Sequence, residues 1–159
     1  SVPKLPVHGL AETAHFTNKA LPATAVDQLI RRVASAPGGT PDAYCEVRLM
    51  CWTGGKVNTI APDATAYVHR SSTGLLRPAI WWQPTSSAGV QRDMQGWFNE
   101  TLRFITPLCQ PSAFQNWPYR GLPNALEQYY GANLARLSQV KKAYDPNNLF
   151  HYEQSIPVG

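Results

Sequence analysis

An α+β fold, an antiparallel sheet flanked by helices, is the class this sequence predicts. Apolar residues recur at helical spacing near both ends of the chain, while the stretch between them alternates or runs apolar as strands do. The resulting order is one helix, about four strands, then two helices. The 159 residues, 43% of them hydrophobic and 11% aromatic, suffice for an ordinary buried core and are too apolar for a disordered chain.

The elements follow in order. Residues 1–22 are dotted with prolines and read as irregular, with Ala14-His15-Phe16 open to a short strand. Val26, Leu29, Ile30 and Val33 stand at i, i+3, i+4 and i+7, an amphipathic helix that ends before Ala36-Pro37-Gly38-Gly39. Residues 44–52 alternate as a strand, with Cys45, Val47, Leu49 and Cys51 on one face and Tyr44, Glu46, Arg48, Met50 and Trp52 on the other. Gly54-Gly55 turns the chain into a weaker strand at 56–60, and further strands are expected at 64–69 and 75–82. Pro78 lacks an N–H, so it is expected to make the last of these an edge strand or to force a bulge. Met94, Trp97, Phe98, Leu102 and Ile105 mark a helix within 88–105, closed by Pro107. Leu126, Tyr130, Leu134, Leu137 and Val140 mark a third, stopped at Asp145-Pro146; Gly131 inside it costs about 1 kcal/mol relative to Ala and points to close packing.

Charge bounds the function. Fourteen basic and ten acidic residues leave +4, and charged residues are 15% of the chain, against about 25% in ordinary soluble domains. Such a chain has neutral and apolar surface to spare, so a partner is expected to cover part of it. The basic excess is scattered, with Lys141-Lys142 its one dense spot, which argues against nucleic acid. No apolar run approaches the ~18 residues of a membrane-spanning helix. Cys45, Cys51 and Cys109 have no metal-site spacing, and Cys45 and Cys51, about 20 Å apart along one strand, do not pair with each other. Asn99-Glu100-Thr101 is a glycosylation sequon and points to the secretory pathway. The chain starts at Ser1, and the expectation is a processed protein or one piece of a longer one.

Four stretches of the last third belong together: Phe114-Gln115-Asn116-Trp117-Pro118, 129–137, 141–150, and Gln154-Ser155-Ile156-Pro157. They resemble the C-terminal end of the berberine bridge enzyme-like FAD-linked oxidases of the vanillyl-alcohol oxidase superfamily, close to the fungal oligosaccharide oxidases. Gly54-Gly55-Lys56, the 65–70 stretch and the helix before Pro37 match the same family in the same order. The resemblance implies a two-domain protein roughly three times as long. Residues 1–115 would be part of the substrate-binding domain and 116–159 a segment packing on the FAD domain. FAD would be bound mainly by a segment absent here, carried by an N-terminal portion present as a separate chain or cleaved half. This chain alone would be inactive.

In that family a flavin accepts a hydride while a base takes a proton from a small organic substrate. In the sugar-oxidising members the base is a tyrosine following the Asn matched here by Asn116; this sequence has Trp117, whose indole donates and cannot accept a proton. The acidic residue that assists that tyrosine aligns with Cys51. The resemblance therefore points to Trp117, Cys51 and Tyr119 at the catalytic position, with Glu46 and His69 as further local bases. It points to Asn116, Tyr129, Asn133 and Gln154 at the cofactor, and to Val47, Leu49 and Trp81 at the substrate; no metal is implied. Of the Tyr129-Tyr130 pair, Tyr130 fits the apolar stripe and Tyr129 is the freer to reach a ligand. Each has a plainer reading: Cys51 as a small buried residue, Asn116 as a turn residue, His69 with Arg70 and Glu46 with Arg48 as structural pairs, and one of Trp81 and Trp82 in the core. Small alcohols, phenolic or alkaloid-like compounds and oligosaccharides are the substrate classes, sugars being disfavoured by the missing tyrosine and an apolar face. The alternatives are a flavoprotein that has lost oxidation and a flavin-independent binding module.

Overall fold

A computed structural model describes residues 9–51 and 55–159; the first eight positions, Trp52 and Gly54 lie outside the described residues. The sheet is built on β4 (Gly74–Trp82), its central strand. On one side β3 (Ala43–Cys51) pairs antiparallel along the whole length, Ala43 opposite Trp82 and Cys51 opposite Gly74. On the other side β1 (Gly9–Glu12) and β2 (His15–Thr17) lie end to end. Glu12 faces Ala79 and His15 faces Leu76, so the two registers are continuous and form one strand interrupted at Thr13 and Ala14. That interruption lies opposite Pro78. Pro78 is therefore neither on an edge strand nor in a bulge, contrary to expectation: its missing donor falls where the ladder is already broken, and Thr13 N still donates to its carbonyl at 3.4 Å.

Two helices cover one face. α1 (Ala23–Ala34) and α2 (Ala88–Ile105) sit where their periodicity places them, α2 capped by Ser87, whose hydroxyl accepts from Val90 N. Met94, Trp97 and Phe98 of α2 pack on Ala43, Cys45, Val47, Ile80 and Trp82. Leu29 of α1 and Ile105 of α2 pack on Leu76. Trp97 Nε1 donates to Arg32 O at 2.9 Å, tying the helices together. The α1 stripe is only half covered: Leu29 is buried, while Val26, Ile30 and Val33 line an open groove with Leu21, Val47 and Leu49. Gly9 is required by close approach, since a Cβ there would stand 1.9 Å from the Trp82 indole.

Three expectations fail for local reasons. Residues 56–60 form no strand; Lys56–Thr59 is a 3-10 turn. Residues 64–69 form no strand either, being held as a loop by side chains that satisfy its backbone: Asn133 Nδ2 donates to Pro62 O and Thr65 O, and Arg70 donates to Tyr67 O and Thr65 Oγ1. The third helix is split into α3 (Ala125–Tyr130) and α4 (Leu134–Tyr144) at Gly131, whose φ of 49° and ψ of −132° suit glycine and whose α-carbon faces Val68. α3 and α4 close a separate small core of Ala113, Tyr129, Tyr130, Leu126, Leu134 and Ile156.

Candidate functional site on the open sheet face

Strand alternation places Leu75, Arg77, Ala79 and Trp81 of β4 on the face away from the helices, together with Tyr44, Glu46, Arg48 and Met50 of β3, Leu10 and Glu12 of β1, and Phe16 of β2. At one end Phe16, Leu75 and Met50 are roofed by Tyr67, Phe114 and Trp117. Phe114 and Trp117 are brought there by a turn in which Trp117 N donates to Phe114 O, entered from a segment that hydrogen-bonds along β2 through Gln110, Ser112 and Phe114.

The middle of the face is charged. Arg77 is paired with Glu12 and, at 2.9 Å, with Glu46. Glu46 Oε1 also meets Arg48 Nε at 3.0 Å, so two carboxylates balance two guanidiniums. The Arg77 side chain is 11% exposed. Burying a cation that deeply requires compensation, and the paired carboxylates supply it. Its guanidinium carbon lies 4.9 Å from the centre of the Trp117 ring, a cation–π contact, and Trp117 in turn stands edge-on to Phe114 at 5.2 Å. At the far end Tyr44 and Trp81 stack at 5.5 Å, with Leu10 exposed nearby in register.

The sequence-predicted residues divide over this architecture. Trp117, Trp81 and Glu46 share the open face. Cys51, Val47 and Leu49 do not: they lie on the helix side of β3, where Val47 packs into the core, Leu49 borders the α1 groove and Cys51 is exposed. The face that meets Trp117 is thus charged and aromatic, and the apolar-face argument against sugars lapses. Tyr119 packs edge-on against Phe98 in the helix-side cluster. His69 lies under the site, stacked on Phe16 at 4.0 Å with its Nε2 against Tyr129 O, and burial pulls its pKa to about 4. It does not pair with Arg70, which instead covers the Tyr67 ring.

Among the cofactor positions, Asn116 stands exposed in the turn beside Trp117. Tyr129 corrects the expectation: it is the more buried of the tyrosine pair, at 1%, because its hydroxyl accepts from Tyr119 N and meets Gln154 Oε1. Gln154 Nε2 donates onward to Tyr119 O, so Tyr129 and Gln154 lock the C-terminal segment, as Asn133 locks the 62–65 loop. Sequence reasoning missed Arg77 and Glu12. Arg77 alternates with Leu75 and Ala79, which was legible, whereas Glu12 joins the site only through pairing across the sheet. Among the described residues no group of His, Cys, Asp and Glu is placed to hold a metal ion.

Residues 113–157 match the family described as berberine and berberine like. The FAD-linked oxidoreductase sorD of Penicillium rubens is 30% identical over 163 residues, covering 94% of this chain and 33% of that protein. The chitooligosaccharide oxidase of Gibberella zeae is 32% identical, covering 65% of this chain and 22% of that protein. In fold, the chain is similar to berberine bridge enzyme of Eschscholzia californica (TM-score 0.73, 21% identity, 94% of this chain and 33% of that one) and to wild-type Physcomitrella patens BBE-like 1 (TM-score 0.74, 21% identity, 98% and 32%). The chain spans about a third of the length of the first of these relatives. With its C-terminal motifs, its sheet and its helices all matching, the chain belongs to the berberine bridge enzyme-like family of FAD-linked oxidoreductases and corresponds to their C-terminal portion.

Proposed function

We propose that this chain completes an FAD-dependent oxidoreductase acting on a small organic substrate, and that the open sheet face is its share of the active site. In this reading residues 1–115 are part of the substrate-binding domain and 116–159 pack on an FAD-carrying portion, supplied as a separate chain or a cleaved half. The observation that carries the reading is the convergence on one face of Trp117, two carboxylates held by arginines, and the Tyr44–Trp81 stack.

The residues fit one end of the cofactor. Asn116 offers an exposed amide, able to donate and to accept, next to the Trp117 indole. Tyr129, Asn133 and Gln154 are occupied within the chain, which supports binding of the remainder of FAD elsewhere. When bound, FAD would supply the acceptor for a hydride, that is, for two electrons carried with one proton. The chain's own residues orient the substrate and hold its proton. Trp117 and the Tyr44–Trp81 stack present flat apolar surface to a ring. Glu46 takes the proton: both its guanidinium contacts fall on Oε1 and leave Oε2 for the substrate. Tyr119 packs in the helix-side cluster and His69 is buried beneath Phe16 with its Nε2 against Tyr129 O, so Glu46 is the base of choice among the three local candidates. The exposed Asn99 on α2 supports a glycosylated, secretory protein.

The test is absorption by the native, undenatured assembly. A visible flavin band that bleaches anaerobically with a substrate drawn from alcohols, phenolics and oligosaccharides supports the reading. Purification as a colourless monomer overturns it. A second reading, a flavoprotein without oxidase activity, is favoured by the donor-only indole at the base position; it predicts a flavin band that no substrate bleaches.

A further inference from the structure

Arg77 has two features that plain charge pairing leaves unexplained. It stands on the central strand of the sheet, where a guanidinium is costly to bury, and the side chain it faces is an aromatic ring from a distant turn. Glu12 on β1 and Glu46 on β3 grip it from both neighbouring strands. Arg48 stands on the outer side of Glu46, opposite Arg77 in the β3–β4 register, and completes the charged groups of this row. A side chain tethered to two strands has almost no freedom of its own, and its planar cation therefore presents a fixed surface.

We infer that Arg77 is a positioning residue: its anchored guanidinium fixes the Trp117 ring, and through it the 114–117 turn with the exposed amide of Asn116, at one place over the open sheet face. The anchoring matters at the Trp117 end of the turn, because Phe114 is already held by its N–H on Ala14 O and by its ring against Phe16 and Tyr67. One backbone hydrogen bond closes it, Asn116 is exposed, and Trp117 touches the sheet through Arg77 and the small cluster around Phe16 and Leu75. A cation–π contact made by a guanidinium with its charge already balanced gives a directional, desolvated hold on an indole that an apolar side chain of the same size lacks. The inference concerns where Trp117 sits and stands whichever substrate or electron acceptor the assembled protein uses.

The full chain carries five tryptophans, which makes 5-fluorotryptophan labelling and fluorine NMR a direct readout. Loss of one resonance in Trp117→Phe identifies the Trp117 signal. Arg77→Met, close in size and uncharged, is expected to shift or broaden that resonance and raise its solvent isotope shift, while Trp82 and Trp97 on the helix side keep theirs. Arg77→Lys, which keeps a cation, restores the resonance in part. If Arg77→Met disturbs all five signals, the double variant Glu12→Gln/Glu46→Gln decides, because it keeps the guanidinium and removes its anchors. Selective movement of the Trp117 signal in that variant supports the inference. A Trp117 resonance unmoved in Arg77→Met, or unmoved in the double variant, overturns it.

Discussion

Glu46 accepts from two arginines through one oxygen, an arrangement that orients its carboxylate and leaves its second oxygen outside those contacts. Replacing it with Gln preserves shape and removes the proton acceptor. On the proposed function, Glu46→Gln is therefore expected to lower turnover of the complex with its flavin-carrying portion by about 10²–10⁴ with flavin content unchanged, as read by stopped-flow flavin reduction. Two histidines make a separate, pH-dependent prediction. His15 and His69 are almost fully buried, and burial depresses both from 6.5 to about 4. The folded state thus binds fewer protons than the unfolded one between these values. The stability they permit is complete above pH 6.5 and declines as pH falls toward 4, by about 1.4 kcal/mol per pH unit for each histidine. Denaturant unfolding followed across that window should show the slope, and His69→Gln should remove about half of it. At this scale the sequence revealed residue types and strand faces. It did not reveal partners: Glu12 and Arg77 are 65 residues apart.

Strand and helix formation separated along a physical line. α1 and α2 were legible because a helix satisfies its own backbone, so periodicity alone nearly suffices. The strands expected at 56–60 and 64–69 failed because a strand needs a neighbour: 56–60 closes on itself, Asn58 N donating to Gly55 O and Thr59 Oγ1 to Lys56 O, while Arg70 and Asn133 donate to the Tyr67 and Thr65 carbonyls that a neighbour would have paired. Pro78 shows the same dependence in reverse: it is tolerated at the sheet's centre by an interruption in a strand more than sixty residues away in sequence. Gly131 and Ser87 provide the tests. Gly131→Ala forces a side chain to φ 49° and ψ −132° and should cost about 1–3 kcal/mol. Ser87→Ala removes the α2 cap and should cost about 1 kcal/mol. Chemical denaturation midpoints check both, and a Gly131→Ala cost below that of Ser87→Ala would contradict the account of the α3–α4 break.

Over the whole molecule, low charge reappears as two exposed apolar regions. One is the groove of Val26, Ile30, Val33 and Leu49; the other carries Tyr144, Leu149, Phe150 and Tyr152, on a turn held by Asp145, which accepts from Leu149 N and Phe150 N and pairs with Lys141. Exposed patches of this kind mark contact surfaces. Ile30→Glu and Phe150→Asp should each reduce binding of an apolar fluorescent dye to the isolated chain while changing stability by no more than about 0.5 kcal/mol. Composition, helical periodicity and the C-terminal motifs determined the α+β class, the family and the surplus of apolar surface, because each is written locally in the chain. Tertiary structure alone decided which face of β3 meets Trp117, that Tyr129 and Gln154 serve the chain's own packing, and that Glu12, Arg77 and Glu46 form one cluster. The reason is register. Strand pairing joins residues that no local pattern connects, and a shift by one position would have sent every one of these side chains to the opposite face.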